Sequence, residues 1–438
     1  MADQKHIARQ IFQQTLDSIS IRRVMESKLQ FRDNELIFPG GSLQLSYVEQ
    51  FRVVAIGKAA HMMVDGLAAI LPSGCQISGV VSAPTKADDP LPGLQYFVAG
   101  HPIPNTDSWG AAEAILDLLR FCDERTLVFF LLSGGGSALV ELPLDPTIKL
   151  ADVQALNLAL VTCGAPIDAI NTVRKHFSAI KGGRLTVAAG KAQKITFAVT
   201  DVPAGKESAL ASGPTLPDHT TVNDVCRVFA QYDLRKKLPE TLCRWFDTAQ
   251  AMPETPKESH TAFANAQFVL LLGMHDLFHA AHRAAEAHGY VTRCDNSTDD
   301  WPIKKAVDWL LAQLEDWRRE NPGQRVALIA DGEVASPVTG DGIGGRNSAF
   351  VLACVEKIAG SKITVLSAGT DGIDGNSLAA GAVADGNTAS RARSGALNPS
   401  VYFQKSDACT FFSNLEDAIV TGPTNNNLRD LRILLAEP

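Results

Sequence analysis

Leu127-Val-Phe-Phe-Leu-Leu-Ser133-Gly134-Gly135-Gly136-Ser137-Ala-Leu-Val-Glu-Leu-Pro143 is the stretch from which the fold is read. Residues 127–132 form an apolar run, too short for a stand-alone helix and typical of a strand buried on both faces. The run stops at three consecutive glycines between two serines. With no β-carbons in the way, backbone N–H groups and the hydroxyls of Ser133 and Ser137 can converge on one anion, which is a phosphate-cradle geometry. A tight strand-to-helix turn with no ligand is the plainer alternative, but it does not need three glycines.

The whole chain has 438 residues, with 45% hydrophobic and 20% charged residues. That length favours two domains with ample core. No apolar stretch approaches a membrane span and the N-terminus lacks the pattern of a secretory signal, so a cytoplasmic protein with no membrane partner is expected. The eight cysteines form no C-x-x-C pair and read as small buried hydrophobes of a reducing compartment. A formal charge of −8 speaks against a nucleic-acid partner, so any anionic ligand must be met by local cations.

Upstream of the glycine run, residues 3–30 read as an amphipathic helix. Phe51–Ile56 is a buried strand that runs through Gly57 and Lys58 into an alanine-rich helix to about Leu71, which places Lys58 in the first helical turn. A cation there opposes the helix dipole unless an anion shares the site; the alternative is a lysine that snorkels to solvent. Strands follow at Gly79–Ser82 and Tyr96–Val98. His101 closes the second, where a backbone-satisfied turn residue and a ligand contact are equally compatible. A helix is expected from about Ser108 to Cys122, and helix again from the glycine run to about Gly164.

Residues 171–185, Asn171-Thr-Val-Arg174-Lys175-His176-Phe-Ser-Ala-Ile-Lys181-Gly182-Gly183-Arg184-Leu185, hold four full positive charges in an acidic protein. A solvated helix face would explain them, as would an anionic ligand approached closely at the glycine pair. The strand from Lys194 ends at Asp201, where an open parallel sheet places its ligand. Prolines 239, 253 and 256 mark an inter-domain segment, with domains of 1–250 and 260–438.

The second domain restarts with the strand Phe268–Leu272 and a helix bearing His275, His279, His282 and His288. His279 and His282 lie one turn apart, but without an H-E-x-x-H pattern they read as surface histidines. A helix near 301–320, a strand to Asp331 and the turn Gly332-Glu333 follow. Then come Gly340-Asp-Gly342-Ile-Gly344-Gly345-Arg346, a helix to about Ile358, and a strand to Gly369. The turn Thr370-Asp371-Gly-Ile-Asp374-Gly375 leads into a small-residue helix, and residues 421–427 precede a last helix. Strand and helix alternate in both halves, which predicts α/β layered domains, the first with a parallel sheet.

Lys58, the 133–137 loop, Asp201, Glu333, Arg346 and Asp371 all fall at strand ends or helix starts. Cradle, cations and carboxylates are the parts of a phosphoryl-transfer site, in which carboxylates hold Mg²⁺ or take the acceptor's proton. No G-x-x-x-x-G-K-[ST] occurs. A G-x-G-x-x-G does, at Gly340, Gly342 and Gly345 with Asp371 beyond, which keeps an NAD(P)H-dependent reductase as the alternative. A non-catalytic sugar- or nucleotide-sensing module is the third reading, and it has no use for so many carboxylates beside the cradle.

Several motifs in one order resemble the glycerate 2-kinase family, built from an N-terminal Rossmann-like glycerate-kinase domain and a C-terminal MOFRL domain. They are Ser133–Leu139, Asn171–His176, Ile180–Leu185, Asp201-Val-Pro203, Ala211–Thr215, Gly344–Asn347, Ala368–Gly375 and Thr421–Thr424. The resemblance implies a doubly layered α/β fold with the active site in the inter-domain cleft. It also implies ATP- and Mg²⁺-dependent phosphorylation of D-glycerate on its 2-hydroxyl to give 2-phosphoglycerate. Lys58 and Arg346 carry over as cations on the substrate or the transferring phosphate. With Asp201 and Asp371 they make the expected catalytic set, and the two aspartates are the expected metal ligands.

The expected binding residues are Ser133, Gly134, Gly135, Gly136, Ser137, His101, Asn171, Arg174, Lys175, Lys181, Glu333, Gly345 and Asp374. A homo-oligomer is left open. Some relatives carry the name hydroxypyruvate reductase, the redox alternative again. The chain departs from the family pattern at Asp331-Gly-Glu-Val334, where a Gly-Gly-Glu-Thr turn is usual, and at Ser348-Ala349, where Gln-Glu is usual.

Overall fold

The computed structural model describes residues 4–438 except 201, 204, 249–251, 425 and 427. The chain divides into two compact units, Val24–Leu272 and the segments Met1–Arg23 with Gly273–Pro438.

The first unit opens with a three-stranded antiparallel sheet, β1 (Gln30–Arg32), β2 (Glu35–Phe38) and β3 (Gly41–Gln44). Its first hairpin turns on Asp33 and Asn34, both at positive φ, the conformation of a two-residue primed turn. The main sheet comprises β4 (Gln50–Ile56), β5 (Ile77–Ala83), β6 (Leu94–Val98), β7 (Thr126–Ser133), β8 (Gln193–Val199) and β9 (Ala266–Leu272). Its order is β6-β5-β4-β7-β8-β9 and every pairing is parallel.

That is the strand order of a Rossmann sheet, with its reversal between β4 and β7. The reason lies in β7, buried at every position and flanked on both sides. Burying Phe129 or Phe130 contributes about 1.5–3 kcal/mol each, so this segment occupies the sheet centre. The helix Thr106–Arg120 packs on this sheet and starts at a reciprocal cap between Asn105 and Ser108.

Helix does not run unbroken from the glycines to Gly164. A single turn, Gly136–Leu139, is separated from Leu150–Thr162 by a loop containing Pro143 and Pro146, whose missing N–H groups interrupt helix.

The stretch taken from sequence as inter-domain belongs to the first unit. Thr255 donates to Asp218 at 2.9 Å, Lys194 donates to the carbonyl of Ala262 at 3.0 Å, and β9 is the edge strand beside β8, not the start of the second sheet. The break therefore falls between Leu272 and Gly273, beyond the expected interval.

The second unit contains β10 (Val291–Asp295), β11 (Val326–Asp331), β12 (Ile363–Gly369), β13 (Gly381–Asp385), β14 (Ala418–Ile419) and β15 (Asp430–Ala436). The order is β10-β11-β15-β12-β13-β14, parallel only between β10 and β11. The small-residue stretch after Gly375 first forms β13 and only then a short helix, Thr388–Ser394, and the expected last helix is a strand, β15, inserted between β11 and β12. All seven β15 residues are buried, and a short apolar run at a sheet centre carries no periodicity that separates strand from helix.

The expected N-terminal helix is two, Gln4–Ser18 and Ile21–Lys28. The first packs on the helix Met274–Ala287 and on β12, β13 and β15, and Lys5 pairs with Asp417 at 2.8 Å. Hence the first residues of the chain group with the last. Among the described residues no helix is long and apolar enough to cross a membrane. All eight cysteines are free, but only Cys354 is fully buried.

Candidate active site

In the first unit, the strand-order reversal brings the ends of β4 and β7 together. A β-carbon on Gly57 would stand 2.1 Å from Ser133 Oγ and 2.7 Å from its carbonyl oxygen, so only glycine allows this approach. The N–H of Lys58 donates to the Gly134 carbonyl at 2.9 Å, and the Ala59 N–H donates to Ser133 Oγ at 3.0 Å. Lys58 precedes the helix Ala60–Ile70 instead of lying in its first turn, and is exposed. Gly135, at φ +86°, lies beneath the His101 ring and the Lys58 stem, which a β-carbon would meet at 3.1 and 3.3 Å. Partial desolvation and the adjacent ammonium of Lys58 hold His101 below the ordinary histidine range.

Ser137 Oγ lies 2.8 Å from Ser212 Oγ, which donates to Asn171 Oδ1 at 2.9 Å. Asn171 Nδ2 and Arg174 Nε are buried without a partner. Burial pulls the Arg174 guanidinium down, partly offset by Glu141. Ala211 and Ser212 both take positive φ beside Gly213, a strained turn against the glycine loop, where a β-carbon on Gly136 would meet that of Ala211 at 2.7 Å.

The remaining cations of 171–185 turn inward. Lys181 is fully buried and donates to Glu141 at 2.6 Å, and burial lowers its ammonium pKa. Lys175 is buried and donates to Asp218 at 3.1 Å. The sequence singled out these lysines for a ligand, and the fold places them in internal ion pairs. Asp201 lies outside the described residues.

In the second unit, a pocket of about 950 Å³ lies at the ends of β11 and β12 and the start of β15, lined among others by Glu333, Arg346, Asp371, Asp374, Arg429 and Asp430. Arg346 is held along two edges. Its Nε donates to Asp430 Oδ2 at 2.5 Å and its Nη1 donates to Glu333 Oε2 at 2.8 Å. Burial lowers the guanidinium pKa, but the two carboxylates outweigh it and the net shift is upward. Asp430, side-chain 5% exposed, is the fixed partner, and Glu333, at 46%, is the solvent-side one. Asp371 lines the same pocket and accepts from the Ile373 N–H at 3.0 Å.

Asp374 has a different place. Its carboxylate accepts from the N–H groups of Gly345, Asn347 and Ser348 and from Ser348 Oγ, capping the helix Arg346–Cys354. Desolvation raises its pKa against those bonds.

This geometry removes the dinucleotide fingerprint. A β-carbon on Gly340 or Gly342 would strike the backbone of Lys405 at 2.4 to 2.6 Å, and one on Gly345 would strike Asp374 and Gly375. The glycines serve close protein packing, and the helix N-terminus that a pyrophosphate would need already holds a carboxylate. Sequence reasoning passed over Ser212, Arg429 and Asp430 as site residues. The signal for the last two was a charged pair directly before an apolar terminal run.

A buried charge cluster lies beside this pocket. Asp331 is 1% exposed and its Oδ1 has no partner. Desolvation raises its pKa to about 6, with Arg429 opposing and Asp299 reinforcing. Arg432 is fully buried and donates to the carbonyls of Asp331 and Gly332 at 3.1 and 2.9 Å. Asp299 pairs with Arg429 and accepts from the Glu333 N–H at 2.8 Å.

A family described as a domain of unknown function, DUF4147, matches residues 7–247, and the MOFRL family matches 326–430. A D-glycerate 2-kinase of Thermotoga maritima is 31% identical over 406 residues, 91% of this chain and 94% of that protein. A protein of Agrobacterium vitis bearing a hydroxypyruvate reductase name is 33% identical over 87% of this chain and 86% of its own. A crystal structure of glycerate kinase from Thermotoga maritima superposes with a TM-score of 0.85 at 29% identity, covering 99% of both chains.

Proposed function

The chain belongs to the glycerate 2-kinase family, and from that premise we propose that it transfers the γ-phosphoryl group of ATP to the 2-hydroxyl of D-glycerate, giving 2-phosphoglycerate and ADP. The observation that carries the reading is the glycine loop at the β4/β7 reversal, with the exposed cation Lys58 and His101 set over Gly135. An open α/β sheet binds its ligand at that point. The reductase reading loses its one sequence signal, because the glycines of 340–345 are used in packing.

In this reading the glycine loop and Lys58 receive phosphate or the glycerate carboxylate. Arg346, oriented by Asp430, steadies the transferring phosphoryl group. The 2-hydroxyl oxygen attacks the γ-phosphorus as the bond to the ADP oxygen breaks, and the hydroxyl proton passes to a carboxylate, Asp371 or Asp201. The other carboxylate serves Mg²⁺. Magnesium bound with nucleotide takes only one or two protein carboxylates beside phosphate oxygens. A single carboxylate, Asp371 or Asp201, suits that mode, and among the described residues no cluster of three His, Cys, Asp or Glu side chains offers an all-protein cage. When bound, the ion neutralises charge on the β- and γ-phosphate oxygens.

A paired assay tests the proposal. ATP, Mg²⁺ and D-glycerate should yield ADP and the 2-phospho isomer, while NADH or NADPH with hydroxypyruvate should show no oxidation. Cofactor oxidation without ADP formation would overturn it.

A further inference from the structure

The pocket of the second unit is far larger than the acceptor. A three-carbon acid fills on the order of 100 Å³, roughly three to four waters, against a cavity of about 950 Å³. Pockets of ~300–1,000 Å³ suit ligands several times that size.

Its lining combines two chemistries. The polar patch is the Arg346, Glu333 and Asp430 cluster. The apolar patch is built on a short parallel pairing: the Ala335 N–H donates to the Trp301 carbonyl at 2.9 Å and the Ile303 N–H to the Ala335 carbonyl at 3.3 Å. That pairing sets Pro302 and Ala335 in one wall, backed by the core residue Ile303 and extended by Pro337, Val338 and Phe403. Val338 is 82% exposed, an apolar side chain at the rim with almost no packing of its own.

A small hydroxy acid has no apolar body to place on such a wall. A nucleotide has both a flat, weakly polar base and a charged tail. We propose that the wall from Pro302 to Phe403 is the nucleoside subsite of the phosphoryl donor, taking a purine base and its ribose, with the phosphates running toward Arg346. The inference rests on the kinase reading above and adds to it where the donor sits.

Ala335→Trp, which fills the wall, and Val338→Asp, which charges it, both change exposed side chains and leave the core intact. Far-UV circular dichroism and melting curves verify the fold. The probe is ADP with Mg²⁺, titrated calorimetrically, alongside inorganic tripolyphosphate and steady-state kinetics. Both variants should weaken ADP at least tenfold and raise the KM for ATP in parallel, with tripolyphosphate affinity and the KM for D-glycerate within twofold of the parent.

Unchanged ADP affinity in both folded variants would overturn the subsite. So would a raised KM for D-glycerate with ADP unmoved, which would give the wall to the acceptor. Failure of the kinase reading is separate: the parent protein would then form no ADP with D-glycerate, whereas the ADP titration still decides the subsite.

Discussion

Replacing Asp331 with asparagine should flatten the pH dependence of stability in the second unit. Asp331 is 1% exposed, its Oδ1 has no partner, and its pKa rises from 3.8 to about 6. A folded-state pKa above the unfolded value means that the folded protein binds the proton more tightly. The favourable contribution is therefore complete below about pH 4 and is lost as pH rises through 6. A shift of about two units corresponds to about 3 kcal/mol, the extra cost of keeping the ionised carboxylate buried at pH 8.

Asparagine cannot ionise. The stability of the variant relative to the parent should then improve by about 3 kcal/mol between pH 4 and pH 8, or about 6–12 °C in the melting midpoint for a unit of this size. Thermal melts at half-unit pH intervals measure the difference and cancel every other titrating group. Parallel curves for the two proteins would refute the reasoning, since they would mean that Asp331 is paired or solvated.

Lys58→Ala should lower kcat by 100-fold or more, about 3 kcal/mol of transition-state stabilisation, while the melting midpoint stays put because the side chain is exposed. Near-parental turnover would remove Lys58 from the site. Asp371→Asn and Asp201→Asn, assayed across Mg²⁺ concentrations, should separate: a raised metal requirement marks the ligand and a rate loss at every concentration marks the base. Asp374→Ala strips the cap from three N–H groups and should cost about 1–3 kcal/mol by urea unfolding, with an unchanged midpoint counting against the capping role. Lys181→Met leaves Glu141 charged and buried and should cost about 3–5 kcal/mol, most of it recovered in Lys181→Met with Glu141→Leu.

The β7 run was legible because a fully buried parallel strand is continuously apolar. The same logic failed at the C-terminus, where Leu431–Ala436 carries no periodicity and only insertion between β11 and β12 makes it a strand. It failed at 340–345 as well. A glycine pattern does not say whether the space it opens is filled by a ligand or, as here, by the backbone around Lys405 and by Asp374. Lys175 and Lys181 were visible as charges, but not their acids, Asp218 and Glu141, which are some forty residues away in sequence.

Composition, strand runs and ordered motifs by themselves determined two α/β domains with a parallel first sheet. These are local properties, written in periodicity and in residue chemistry. Only the tertiary structure decided which charges were spent internally, which strand closed each sheet, and that residues 4–18 pack with the C-terminal unit. Those outcomes depend on burial and on partners distant in sequence, whose desolvation and pairing energies no local window contains.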